Sequence, residues 1–129
     1  MMEPTWEKEI PVVPMGKPRM TRRDKWAKRP CVLRYYEFKD RIREFTETFP
    51  RDAIRIDWVA YLPIPKSWSK KKKEETMGGL HRSKPDRDNI DKAILDAILK
   101  DDSLVAQGTL EKRWDDGHGP RIILKAWKS

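Results

Sequence analysis

Cysteine is almost absent from this 129-residue chain. Cys31 stands alone, which rules out an internal disulfide and a four-cysteine zinc site. It has no His partner nearby in sequence and reads as structural rather than nucleophilic. No apolar run approaches the roughly 18 residues a membrane-spanning helix needs, so no transmembrane helix is expected. The start, Met1-Met2-Glu3-Pro4, lacks the basic and apolar regions of a signal peptide, and the expected location is cytoplasmic. Internal repeats and long Gly/Ser linkers are also missing, so one domain is expected over residues 1–129. Hydrophobic residues make up only 37% against 39% charged, so the core must be compact and the surface heavily ionised.

What the chain does carry is positive charge. Lys and Arg number 29 against 21 Asp and Glu, a net charge of +8. A basic domain of this size commonly binds a polyanion, because each neutralised phosphate releases condensed counterions. Solubility alone is the plainer explanation, and composition does not separate the two.

Periodicity outlines the elements. Glu9 to Pro14 reads as a short strand that Pro11 and Pro14 confine to an edge or to its ends. A basic stretch with Arg22, Arg23, Lys25, Lys28 and Arg29 follows. Tyr35, Phe38, Ile42, Phe45 and Phe49 recur at helical spacing, and Pro50 closes that helix. Ala53 to Leu62 alternates as a half-buried strand, with Ile54, Ile56, Trp58, Ala60 and Leu62 on one face. Residues 66–84 show no apolar period and read as a mobile basic loop with at most a helical turn, containing Lys70, Lys71, Lys72 and Lys73. Ile90, Ala93, Ile94, Ala97 and Ile98 form one apolar helix face, capped by Asp88 or Asn89. Two last strands, about 109–114 and 121–127, flank the Gly-rich Asp115–Gly119 link, which reads as a hairpin turn. The expected fold is α+β: a mainly antiparallel sheet packed with two principal helices.

The chemistry sits in Lys84-Pro85-Asp86-Arg87-Asp88-Asn89-Ile90-Asp91-Lys92 and in Asp101-Asp102. Asp86 and Asp88, two apart ahead of the helix, are expected in extended geometry on one side. A return of the chain after Leu99 would bring Asp101 or Asp102 beside them. Three converging carboxylates repel one another unless a cation neutralises them, and hard oxygen ligands suit Mg²⁺ or Mn²⁺. Such an ion hydrolyses phosphodiesters. The plain alternative is local: a helix cap, a loop carboxylate and favourable charge at a helix start. Asp101-Asp102 at a helix end opposes the helix dipole and fits that alternative less well. Lys92, one turn after Asp88, either holds a phosphate or pairs with Asp88.

These residues resemble the signature of the RusA family of Holliday junction resolvases, a K-P-D-x-D-N-x-x-K-x-x-x-D-A run followed by a D-D pair. Lys84 to Asn89, Lys92, Asp96-Ala97 and Asp101-Asp102 match it. Gly16-Lys17-Pro18-Arg19 is similar to the family's basic N-terminal segment, Pro65 to Lys70 to its loop after the second strand, and Lys112 to a basic residue after the pair. Two departures are visible: a short connection from Asp96 to the pair, and Arg87 where an apolar residue is common. The resemblance implies a homodimeric, Mg²⁺-dependent endodeoxyribonuclease that cuts four-way junctions by paired incisions. It also implies Asp86, Asp88 and Asp102 as catalytic metal ligands and Lys92 as the catalytic lysine. Lys17, Arg19, Arg22, Arg23, Lys70 to Lys73, Lys84, Arg87 and Lys112 are the expected DNA contacts. A non-catalytic branched-DNA-binding module and a metal-dependent ribonuclease are the competing functions. His81 is expected to be a solvated loop histidine, and His118 a turn residue without a chemical role. Trp26 and Trp68, among basic residues, either stack on unpaired bases or anchor loops.

Overall fold

The computed structural model describes residues 3–19, 29–99 and 105–128. Its elements are β1 (Trp6–Ile10), α1 (Pro30–Phe45), β2 (Ala53–Leu62), α2 (Lys70–Thr76), α3 (Arg87–Ile98), β3 (Leu110–Trp114) and β4 (Arg121–Lys128). The strands form one mixed sheet in the order β1-β4-β2-β3. Strand β4 runs antiparallel to both β1 and β2, whereas β3 runs parallel to β2. This is the expected α+β domain, with α1 and α3 as its principal helices and α2 as a short third.

Parallel pairing of β2 and β3 follows from what joins them. The connection contains α2 and α3, and such a crossover returns the chain in the direction it left. It also corrects the expected hairpin: β3 and β4 are not paired, because β2 lies between them. The Asp115–Pro120 link instead spans the end of β2, beginning where Asp115 N–H donates to Leu62 O at 2.8 Å. Positive φ at Gly117 (99°) and Gly119 (95°) lets both backbone amides turn toward Asp115 Oδ1, at 3.1 and 2.9 Å. The Asp116 carboxylate takes a bidentate grip on Arg121, at 2.9 and 3.0 Å.

Helix α1 begins at Pro30, earlier than the apolar spacing suggests, since proline is tolerated in a first turn. It ends at Phe45 rather than at Pro50 because Thr46 leaves the helix and its hydroxyl donates back to Ile42 O, at 2.9 Å. Phe49 is buried beyond the helix, edge-on to Trp6 at 5.1 Å. β1 likewise is shifted toward the N-terminus of the expected 9–14 segment, overlapping it only at Glu9 and Ile10, of which Ile10 is fully buried.

Both long helices cover one face of the sheet. Tyr35, Phe38 and Ile42 of α1 meet Ile90, Ile94 and Ile98 of α3 over Ile56, Trp58, Ala60, Ile122 and Leu124. Each such large side chain contributes about 1.5–3 kcal/mol by leaving water. The expected alternation in β2 holds from Ile56 to Leu62, but Ile54 is 37% exposed. A bulge between Ala53 and Arg55 shifts the phase, so that Ala53 and Ile56 face inward instead. The Trp58 indole N–H donates to Asp91 Oδ1 at 2.9 Å, tying α3 to the middle of the sheet. The opposite face is ionic: Glu7–Lys125, Glu9–Arg121, Arg55–Asp57 and Glu111–Arg113 pair across it. Among the described residues, no helix is long and apolar enough to cross a membrane.

Candidate active site

The segment before α3 is built to present Asp86. Beyond α2, the chain runs along the open edge of β3: Trp114 N–H donates to Gly79 O at 2.8 Å, and His81 N–H to Lys112 O at 3.0 Å. Register pairing puts Lys112 beside Ala60, on the helix-covered face, and from there its ammonium reaches over to the loop. Lys112 Nζ donates to Ser83 O at 2.6 Å and Pro85 O at 2.8 Å. Two of its three donors therefore hold the backbone on either side of Lys84, and the Lys84–Pro85 peptide between them is cis.

Asp86 follows with extended dihedrals (φ −66°, ψ 147°) as the residue flanking α3, and its carbonyl accepts from Asn89 and Ile90 N–H, both at 3.1 Å. Its side chain caps nothing. Asp88 is not extended, as the sequence suggested, but lies in the first helical turn. Neither Asp88 nor Asn89 is the cap. The Asn89 amide turns away, donating to Lys17 O at 3.1 Å. Asp86, Arg87, Asp88 and Lys92 are all exposed, and Lys92 makes no ion pair with Asp88. Two carboxylates and one ammonium thus stand in solvent at the positive end of a helix, where negative charge is favoured.

Asp101 and Asp102, together with Arg22, Arg23 and Trp26, lie outside the described residues. Among the described residues no three His, Cys, Asp or Glu side chains gather as a metal-holding group. The hard oxygens of Asp86 and Asp88, without partners among the described residues, nevertheless suit Mg²⁺, which binds through one or two carboxylates and keeps several waters.

The surrounding cations divide by how they are engaged. Lys70, Lys71, Lys72 and Lys84 are exposed. Residues 70–76 form a two-turn helix rather than plain loop, capped by Ser69 Oγ accepting from Lys72 N–H at 3.2 Å. Lys72 sits over the Trp68 ring at 4.0 Å, and Trp68 packs on Trp114 at 4.9 Å, so Trp68 anchors the loop. Lys17 Nζ lies 3.9 Å from Asp96 Oδ2. Burial raises the pKa of Asp96, but the Tyr35 hydroxyl at 2.6 Å and Lys39 at 3.2 Å outweigh that and hold its carboxyl below the usual range.

His81 corrects its expectation. It is 6% exposed and lies 4.1 Å from the Trp114 ring; among the described residues Nδ1 has no partner. Burial, then the Lys112 charge, pushes the imidazole below its ordinary pKa. The unfolded imidazole titrates near 6.5, so between that value and the lower folded one the unfolded chain binds more protons. Thermal stability should therefore decline as pH falls from about 7 toward 5. Melting His81→Gln at both pH values should show a flatter dependence; an equal slope would assign the loss to another group. The depressed carboxylates Asp57, Asp96 and Asp116 lose their contribution only below about pH 5, under the low end of that window.

The apolar and acidic patterns were visible in the sequence, but the roles of Lys112, Asn89 and His81 were not. Each rests on a backbone atom brought in by the fold, and side-chain type gives no sign of it. The family model described as endodeoxyribonuclease RusA matches residues 9–125. An uncharacterized protein, YqaN of Bacillus subtilis (strain 168), is 41% identical over 87 residues, a match spanning 61% of this chain and 61% of that protein's length. No solved structure matches the chain. With the family model covering β2, β3, both long helices and the whole acidic motif, this chain belongs to the RusA endodeoxyribonuclease family.

Proposed function

We propose that this protein is a Mg²⁺-dependent endonuclease that resolves four-way DNA junctions, acting in the cytoplasm as a symmetric homodimer. The observation that carries the reading is the pair of carboxylates, Asp86 and Asp88, unengaged among the described residues, with Lys92 one turn along, in a chain matched by the family model. Asp86 and Asp88, with Asp102 as the third ligand that the family signature implies, would hold the metal; Mn²⁺ is the natural substitute. Bound there, Mg²⁺ supplies an activated water and stabilises the leaving oxygen. Lys92 holds a non-bridging oxygen of the scissile phosphate and the charge that develops on it. Lys84 and Arg87 flank that position, and Lys70 to Lys73 track a DNA arm. A homodimer places one such site at each of two opposed strands, matching the two-fold symmetry of a junction.

The test is incubation with labelled four-way junction, duplex, single strand and RNA, with and without Mg²⁺, alongside sedimentation and a cruciform-plasmid assay. Mg²⁺-dependent cutting of the junction, a dimer, and linear product from paired incisions are expected. Binding without cutting overturns the enzyme reading, and cutting of RNA alone overturns the substrate. A monomer giving singly nicked circles overturns the paired mechanism. Junction affinity should also fall with salt at a log–log slope of about −0.9 per duplex phosphate neutralised. Replacing Lys70 to Lys73 by Ala should flatten that slope and weaken all DNA substrates alike. An unchanged slope would make α2 a solvated helix and nothing more.

A further inference from the structure

We infer that Asn89 is a positioning residue that clamps the N-terminal basic segment against the start of α3, setting Lys17 along that helix as a phosphate contact, with Arg19 two residues on in the same segment. The inference rests on the junction-binding function proposed above. Asn89 meets Lys17 twice: its side-chain amide donates to Lys17 O at 3.1 Å, and its carbonyl accepts from Lys17 N–H at 3.3 Å. The two residues are 72 positions apart, so the bond ties the first turn of α3 to the segment that follows β1. Gly16 is fitted to the same contact. A Cβ there would come within 2.5 Å of Asn89 Nδ2 and 3.3 Å of Pro85 Cβ, so only glycine permits the approach.

The Lys17 side chain then runs along α3. Asn89 and Asp96 are seven residues apart and within about 20° of one line on the helix, roughly 10 Å of rise. Asn89 holds the Lys17 backbone at one end of that line, and Asp96 meets the ammonium at the other, at 3.9 Å. That pair is long and exposed at 40% and 37%, so a phosphate oxygen can displace the carboxylate at little cost. Asp96 itself stays satisfied by Tyr35 and Lys39. The clamp thus fixes the backbone while leaving the charge available, which suits a contact that must be placed before DNA arrives.

Asn89→Asp keeps the size and replaces the donor with an oxygen facing a carbonyl, and Gly16→Ala attacks the contact from the other side. Both should speed amide exchange at Lys17 and weaken junction affinity about tenfold. Both should also lower the salt slope by about 0.9 for each cation displaced. For Gly16→Ala, single-turnover cutting at saturating junction should stay within about threefold of wild type, since no carboxylate is added or removed. In a Lys17→Ala, Arg19→Ala background, Asn89→Asp should cost no further affinity, because it acts through those residues. Far-UV circular dichroism and melting establish that each variant is folded, and Gly16→Ala serves if Asn89→Asp is not. Faster exchange with unchanged affinity and slope overturns the inference, as does a loss that adds to that of Lys17→Ala, Arg19→Ala. If wild-type protein binds junctions but cuts nothing, the enzyme reading fails while the exchange and affinity data still decide the clamp.

Discussion

Asp88→Asn is expected to abolish Mg²⁺-dependent junction cutting, on the order of 10³-fold or more, with junction affinity within about threefold of wild type. The change keeps the shape of the side chain and removes one of the two carboxylate charges at the α3 start. A metal ligand that also neutralises developing charge is worth several kcal/mol in the transition state, and about 4 kcal/mol corresponds to that loss of rate. Affinity should survive because it comes from Lys and Arg meeting phosphates elsewhere. Stability should move little. Loss of a favourable charge at a helix N-terminus costs about 0.3–1 kcal/mol, and relief of repulsion from Asp86 offsets part of it. Single-turnover cutting, filter binding and melting on the same preparation separate these quantities. Full activity would remove Asp88 from the site; parallel loss of binding would make it structural.

The parts legible in the sequence were those written in local period. The α3 face of Ile90, Ala93, Ile94, Ala97 and Ile98 is buried as its spacing required, and β2 keeps the bounds its alternation gave. What failed depended on partners far away in sequence. The Asp115–Gly119 turn has hairpin chemistry, but β4 finds β1 and β2, and β3 finds β2 in parallel, through a crossover no local signal specifies. The Ile54 face was misread for a similar reason. The bulge coincides with a distant contact: the amides of residues 106 and 107 both donate to Ile54 O. At the candidate site, type and spacing single out Asp86 and Asp88, but the apparatus around them consists of side chains on carbonyls. Asn89 holds Lys17 O, and Lys112 holds Ser83 O and Pro85 O. A carbonyl exists at every residue, so the sequence contains no mark of which one is taken.

Lys112 gives that point its sharpest test, because the sequence and the structure assign it different work. The family resemblance implies that it is a DNA contact, yet its ammonium is engaged by two backbone oxygens at 2.6 and 2.8 Å. Lys112→Met keeps the length of the side chain and removes both charge-assisted bonds, leaving two carbonyls to find water. A loss of about 2 kcal/mol of stability is expected. The larger effect falls on cutting. Ser83 and Pro85 bracket Lys84 immediately before Asp86, so releasing them frees the carboxylate that the loop presents. A displacement of about 1 Å at a reacting centre commonly costs about 10²-fold, and single-turnover cutting should drop by that much. Junction affinity and its salt slope should stay near wild type, since the ammonium was not meeting phosphate. If Lys112 is instead a phosphate contact, the slope falls by about 0.9 and cutting recovers at saturating junction. Measuring both quantities at two salt concentrations decides between a residue that touches DNA and one that holds the active-site loop in place.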